Sequence, residues 1–208
     1  MNMNITTSRY RSYPRRCRGS TLMEVLVSIF VLSVGVLGVA GLQITAKHSN
    51  FEATQRATAT ALAQDIVERM RANPDGISSY CNTACGSSAV VGGGLSTPNP
   101  DCDAAADGCT AANMAAVDLF QWEQQMLGQA EMRGTTATGG LVNPRACISG
   151  PAGGIAGMYT VLLVWRGSAD STPATIASTV CSNALNSSTL YGAGYVNRRQ
   201  LTISVYVD

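Results

Sequence analysis

From Val25 to Ala46 the chain runs 22 residues without a charged side chain, and no other feature limits its possible folds so strongly. Wound as a helix at about 1.5 Å per residue, such a run spans roughly 33 Å, enough for the hydrocarbon core of a bilayer, about 30 Å. What flanks it is equally constraining. The basic segment Arg15-Arg16-Cys17-Arg18 ends in Gly19, the polar pair Ser20-Thr21 follows, and a single carboxylate, Glu24, stands at the mouth of the run. A carboxylate in a membrane helix is unfavourable, by about 2.5–3.5 kcal/mol at the helix centre. Glu24 is therefore a candidate functional residue, and it needs a counter-charge.

An ordinary secretory signal has an apolar region of about 7–15 residues and then a small-residue cleavage site. Here the run is longer, and the helical pattern continues past it without a clear A-x-A break. A cut before the apolar run fits better. In this respect the stretch resembles the class III signal of type IV pilins, a basic leader that ends in Gly, with Glu at the fifth mature position. The resemblance implies cleavage by a prepilin peptidase between Gly19 and Ser20, N-methylation of Ser20, and a role for Glu24 in assembly. One residue departs from the pattern: the family usually has Phe at the first mature position, where this chain has Ser20. The leader arginines predict a cytoplasmic N-terminus, with the remainder on the periplasmic side of the inner membrane.

Charge and cysteine use agree with export. Five of the 14 basic residues, Arg9, Arg11, Arg15, Arg16 and Arg18, lie in the leader, so the mature chain carries 9 basic against 13 acidic residues. That balance argues against a broad nucleic-acid surface, and Arg133, Arg145, Arg166, Arg198 and Arg199 are scattered. The mature chain keeps six cysteines: Cys81, Cys85, Cys102, Cys109, Cys147 and Cys181. In an oxidising compartment these read as disulfides. The expected pairs are Cys147 with Cys181, and locally Cys81 with Cys85 and Cys102 with Cys109. Their spacings are not those of a zinc site, and the lone His48 lies far from them along the chain. No metal or other cofactor is expected, and no catalytic motif is evident.

Taken in order, the chain divides into a leader (1–19), a membrane-spanning or filament-core half-helix (20–46), an amphipathic half-helix (47–73) and a periplasmic head (74–208). Leu62, Ile66 and Met70, with Ala59, Ala63 and Val67 beside them, form an apolar stripe at helical spacing. Glu52–Arg56 and Asp65–Arg69 have the spacing of helical ion pairs. Asn73-Pro74-Asp75-Gly76 ends the helix, which would be about 50 residues and roughly 75–80 Å long. Residues 77–112 read as loop. Asp101, Asp103 and Asp107 there do not fit a calcium-loop spacing, and solvated turns account for them better. A short helix is expected from Asn113 to Gly128 on the edge of the head, capped by those two residues. Strands are expected at Arg145–Ser149, at Gly157–Arg166 in a central position, and at 199–208, where Leu201, Ile203, Val205 and Val207 share one face. A weak strand is expected near Ile176–Cys181.

The expected fold is therefore α+β and pilin-like, a long N-terminal helix packed on a C-terminal antiparallel sheet. The segments STLMEVLVSIFVLSVGVLGVAGLQ, ALAQDIVERMRANP, DLFQWEQQMLG and ACISG…YTVLLVWRG resemble the PilV-type minor pilins, or type IV pilus modification proteins. The resemblance implies a non-enzymatic subunit that helps to initiate pilus assembly and takes part in adhesion or motility. Its implied partners are the prepilin peptidase, the major pilin, other minor pilins, the inner-membrane assembly platform, and the membrane itself through residues 25–46. A type II secretion pseudopilin would share the N-terminal signal, and a DNA-uptake pilin would need a basic stripe on the head.

Overall fold

Helix α1 runs from Leu22 to Ala72, and two different physical regimes hold its two parts. In the computed structural model, which describes residues 19, 21–81, 90–99, 102, 108–129, 131–176, 181–182 and 185–207, every described residue from 21 to 51 is exposed. Backbone hydrogen bonding and the apolar composition define this first part. Three of its hydroxyls are satisfied within the helix: Ser28, Ser33 and Thr45 donate to the carbonyls of Glu24, Ile29 and Gly41 at 2.7, 2.7 and 3.3 Å. They present no unpartnered donor to an apolar medium. From position 55 onward, packing takes over. Ala59, Leu62, Ala63, Ile66, Val67 and Met70 are all buried, the stripe expected from their spacing. The helix stops at Asn73, whose φ of −131° and ψ of 64° are not helical, immediately before Pro74.

Residues 47–208 form a compact unit, distinct from the residues up to 46. The unit is built on a four-stranded antiparallel sheet. Its strands are β1 (Val90–Val91), β4 (Arg145–Ser149), β5 (Gly157–Arg166) and β6 (Arg198–Val207), in the spatial order β1-β4-β5-β6. A small hairpin of β2 (Met132–Arg133) and β3 (Thr136–Ala137) stands apart from it. Strand β5 pairs along its whole length with β6, from Gly157 opposite Val207 to Arg166 opposite Arg198, and on its other side with β4. This central place explains its apolar character on both faces. Tyr159, Val161, Leu163 and Trp165 join the stripe of α1 in the main core. Leu162 and Val164 face the opposite way, into a second cluster with Cys147, Cys181, Leu185 and Tyr191. On β6, Val205 and Val207 are buried, while Leu201 and Ile203 are only partly covered.

Among the described residues, the further helices include α2 (Ile77–Tyr80), α3 (Ala111–Met126) and α4 (Ser188–Tyr191). Residues 77–112 are thus not all loop: α2 and β1 both fall within them. Helix α3 corresponds to the segment expected from Asn113 to Gly128, but its cap is Thr110, whose Oγ1 accepts the Asn113 N–H at 3.2 Å. At its C-terminus Gly128 has φ +69°, and the N–H groups of Gly128 and Gln129 return to the carbonyls of Gln125 and Gln124 at 3.0 and 2.9 Å. This is a Schellman ending. A Cβ on Gly128 would lie 2.0 Å from the carbonyl oxygen of Gly139, so only glycine fits. Nor does α3 lie on the edge of the head. Trp122 and Met126 are wholly buried, and the Trp122 indole donates to the carbonyl of Leu62 on α1 at 2.8 Å. The weak strand expected near Ile176 is absent where it can be described: Ile176 is irregular and Cys181 is helical.

The six mature cysteines are placed as follows. Cys147 and Cys181 are bonded with Cα atoms 5.8 Å apart, across 34 residues, and so tie β4 to the connection that covers the outer sheet face. Cys102 and Cys109 are bonded, with Cα atoms 5.4 Å apart. Cys81 is also in a disulfide, but Cys85 lies outside the described residues, as do Asp101, Asp103 and Asp107.

Buried polar groups fix the long-range geometry. The Glu123 carboxylate on α3 is 0 % exposed. It accepts the N–H groups of Gly92 at 2.7 Å, Gly94 at 2.9 Å and Leu95, and thereby anchors the 92–95 segment. Gly92 has φ +106°, and a Cβ there would meet the Pro144 carbonyl oxygen at 2.4 Å. Gln55 on α1 works like a strand partner: its amide donates to the Gly140 carbonyl at 3.1 Å and accepts the Val142 N–H at 3.1 Å. Arg69 forms the expected pair with Asp65 at 2.9 Å, and also reaches Asp118 of α3 at 3.0 Å. Asp118 in turn accepts the Tyr80 hydroxyl. Burial, and next the bond to Asp118, push the Tyr80 phenol upward.

Glu52 does not pair with Arg56. Its carboxylate accepts the Ser168 N–H at 2.6 Å and hydroxyl at 2.9 Å, and meets Arg199 of β6 at 3.2 Å. Tertiary partners have displaced the helical one.

Two outcomes follow from these contacts. Glu123→Gln keeps the shape but presents an amide donor to backbone N–H groups; it should lower stability by about 2–3 kcal/mol, read by urea unfolding of the mature chain in detergent. An unchanged midpoint would mean that the three contacts contribute nothing net. For Glu52, desolvation alone would raise the pKa, but the Ser168 and Arg199 contacts outweigh it and hold the group below its ordinary value. A depressed folded-state value means that the contribution is complete above the unfolded value, about 4.3, and is lost as pH falls through the folded-state value. Glu52→Gln should therefore show a shallower loss of stability on acidification below about pH 4.3. Coincident profiles for the variant and the wild type would contradict this.

Candidate assembly site

The N-terminal end of α1 carries the residues singled out in the sequence. Gly19 is exposed, and a Cβ built there meets nothing within 4 Å. Ser20, the expected first mature residue, lies outside the described residues. Thr21 is the helix cap: its hydroxyl oxygen accepts the Glu24 N–H at 3.3 Å, and its carbonyl accepts the Val25 N–H at 3.2 Å. Glu24 thus sits in the first turn of α1, where a negative side chain suits the positive end of the helix dipole. Thr21 was not singled out from the sequence, yet the signal was present. Thr-x-x-Glu just ahead of an apolar run is the spacing of a capping box.

Beyond Glu24 the helix offers a continuous apolar surface. It is long and apolar enough to cross a membrane. Phe30, Leu32, Leu37 and Leu42 are each about two-thirds exposed or more. Gly35, Gly38 and Gly41 have open space where a Cβ would stand, so a second helix could approach closely there. Shallow hollows beside Gly35 are lined by Val31, Leu32, Val36 and Val39. This surface can pack against lipid or against like helices.

The basic residues of the head are mostly spent on the protein itself. Arg145 donates to the carbonyls of Gly92 and Pro144, and Arg198, 5 % exposed, reaches Asn186 and the Ala174 carbonyl. Arg199 binds Glu52, Ser171 and the Ala169 carbonyl. These three do not form the basic stripe that a DNA-uptake role would require.

Two family models match the chain. Residues 14–40 match the prokaryotic N-terminal methylation motif, and residues 41–120 match the Tt1218-like model, described as type IV pilin Tt1218. No curated protein and no solved structure matches it. The methylation motif implies processing by a prepilin peptidase, and the adjoining pilin segment implies assembly with other pilins. Over residues 14–120, and in its long helix and antiparallel sheet, this chain is similar to the type IV pilins.

Proposed function

We propose that this chain is a minor pilin of the PilV type, which helps to initiate type IV pilus assembly and serves pilus-linked adhesion or motility. The observation that carries the reading is the offset from Gly19 to Glu24 at the start of a helix whose residues 25–46 are all exposed. The leader, residues 1–19, stays in the cytoplasm until the peptidase cuts between Gly19 and Ser20. The half-helix from 20 to 46 then holds the chain in the inner membrane, and the head from residue 74, with the amphipathic half-helix 47–73, faces the periplasm. Extraction into the filament exchanges lipid for neighbouring helices around the same apolar surface.

Glu24 gives that exchange its specificity. The cut exposes an α-amino group at Ser20, with a pKa of about 8 and so positive at neutral pH. That cation is poorly placed at the positive end of its own helix. A carboxylate in an apolar setting needs a counter-charge or it takes up a proton. In the filament, Glu24 of one subunit pairs with the amino group of its neighbour, and the assembly platform and the other pilins supply the setting.

Glu24→Gln and Glu24→Val should both be cleaved and membrane-inserted, and both should be depleted from sheared pili about tenfold or more, as expected for the loss of a close charge pair. Blotting the membrane and sheared fractions reads this out. Normal entry of Glu24→Val into pili would show the carboxylate to be dispensable. Replacing Gly19 by a bulky residue should leave the precursor uncut, and a correctly processed variant would overturn the assignment of the cleavage site.

A further inference from the structure

A cleft in the head opens between α1 and the last two strands. Glu52, Ala53 and Arg56 line it from the helix, and Trp165, Arg199 and Gln200 from β5 and β6. Glu52 is fully engaged there: Ser168 holds one carboxylate oxygen and Arg199 the other. Arg199 in turn donates to Ser171 and to the Ala169 carbonyl. Arg56 is left over. It is exposed and, among the described residues, has no ion pair. A second group has the same unmet demand. The indole N–H of Trp165 is buried, in a residue only 3 % exposed, and has no acceptor. Both groups are donors, and the one unpaired acceptor among the lining residues, the Gln200 Oε1, is uncharged and offers Arg56 no counter-charge. A buried donor without a partner is unfavourable and marks a place where an acceptor would be gained on binding.

We propose that this cleft is a docking site for an acidic side chain of an adjoining pilin subunit, whose carboxylate seats on Arg56. The proposal rests on the filament reading above for its occupant, and on charge complementarity for its chemistry. A guanidinium receives a carboxylate through two parallel N–H bonds. The neighbouring Glu52 carboxylate disfavours a doubly charged phosphate, whereas a singly charged carboxylate can be accommodated. The mature chain, with 9 basic against 13 acidic residues, is itself the kind of subunit that offers such groups. Arg56 lies ten residues beyond Ala46 on the same helix.

The mature full chain in detergent micelles, titrated at low salt with a hexaglutamate peptide, tests the site, with tryptophan emission as the readout because Trp165 lines the cleft. Saturable binding is expected, weakened about tenfold or more in Arg56→Gln. It should be only partly restored in Arg56→Lys, which keeps the charge but loses the two-bond fork, and unchanged in Arg133→Gln, an exposed arginine on the β2–β3 hairpin. Hexaglutamine and inorganic phosphate should not compete. No saturable binding, or equal binding by Arg56→Gln, overturns the proposal. In cells, Arg56→Glu should be cleaved and inserted normally but be depleted from sheared pili, and wild-type recovery of that variant overturns the docking role even if the peptide binds. Should the wild-type chain itself be missing from pili, the filament reading fails and the docking role falls with it, while the titration still decides whether the cleft takes a carboxylate.

Discussion

Everything in the head is arranged around one burial event, the apolar stripe of α1 from Ala59 to Met70 closing on the inner face of β5. Ala59, Ile66 and Met70 lose all contact with solvent, and so do Tyr159, Val161 and Leu163 opposite. Burying a large aliphatic side chain contributes about 1.5–3 kcal/mol. That non-directional attraction does not by itself set the angle or register of helix against sheet. Directional bonds from α1 do so: Gln55 to Gly140 and Val142, Leu62 to Trp122, Arg69 to Asp118, and Glu52 to Ser168 and Arg199. Each links the helix to a different part of the head.

The same helix continues into a segment that buries nothing within the chain. This asymmetry has a physical consequence. A surface of exposed leucines, valines and isoleucines from 22 to 44 is tolerable only in lipid or against other helices. The hydroxyls that interrupt it are turned inward on the helix backbone, which makes either environment acceptable. Glu24 is the one carboxylate on this part of the helix, in its first turn.

Periodicity made the backbone plan legible. The 3.6-residue stripe located the buried face of α1 almost residue for residue, and the two-residue alternation located β6. The apolar run 157–166 was readable as a central strand because a strand covered on both faces has no polar side to show. What stayed hidden depends on partners far apart in sequence. The Glu52–Arg56 pairing assumed an isolated helix, and Ser168 and Arg199 lie 116 and 147 residues away. Glu123 reads as a polar position on a helix until the 92–95 segment closes over it. Strand β1, two residues long, has no period to detect. At the N-terminal site, Gly19 and Glu24 stand out by spacing, whereas the Arg56 cleft needs Trp165 and Arg199 brought to the same place, which only the folded sheet does.

The central claim is that the mature chain leaves the membrane and becomes a filament subunit. Its most direct test is the intact mass of the protein recovered from sheared and purified pili. The account predicts a chain that begins at Ser20, carries one methyl group on its amino terminus, and retains its disulfides. A chain abundant in the membrane but absent from pili, or present there with its leader attached, would contradict it.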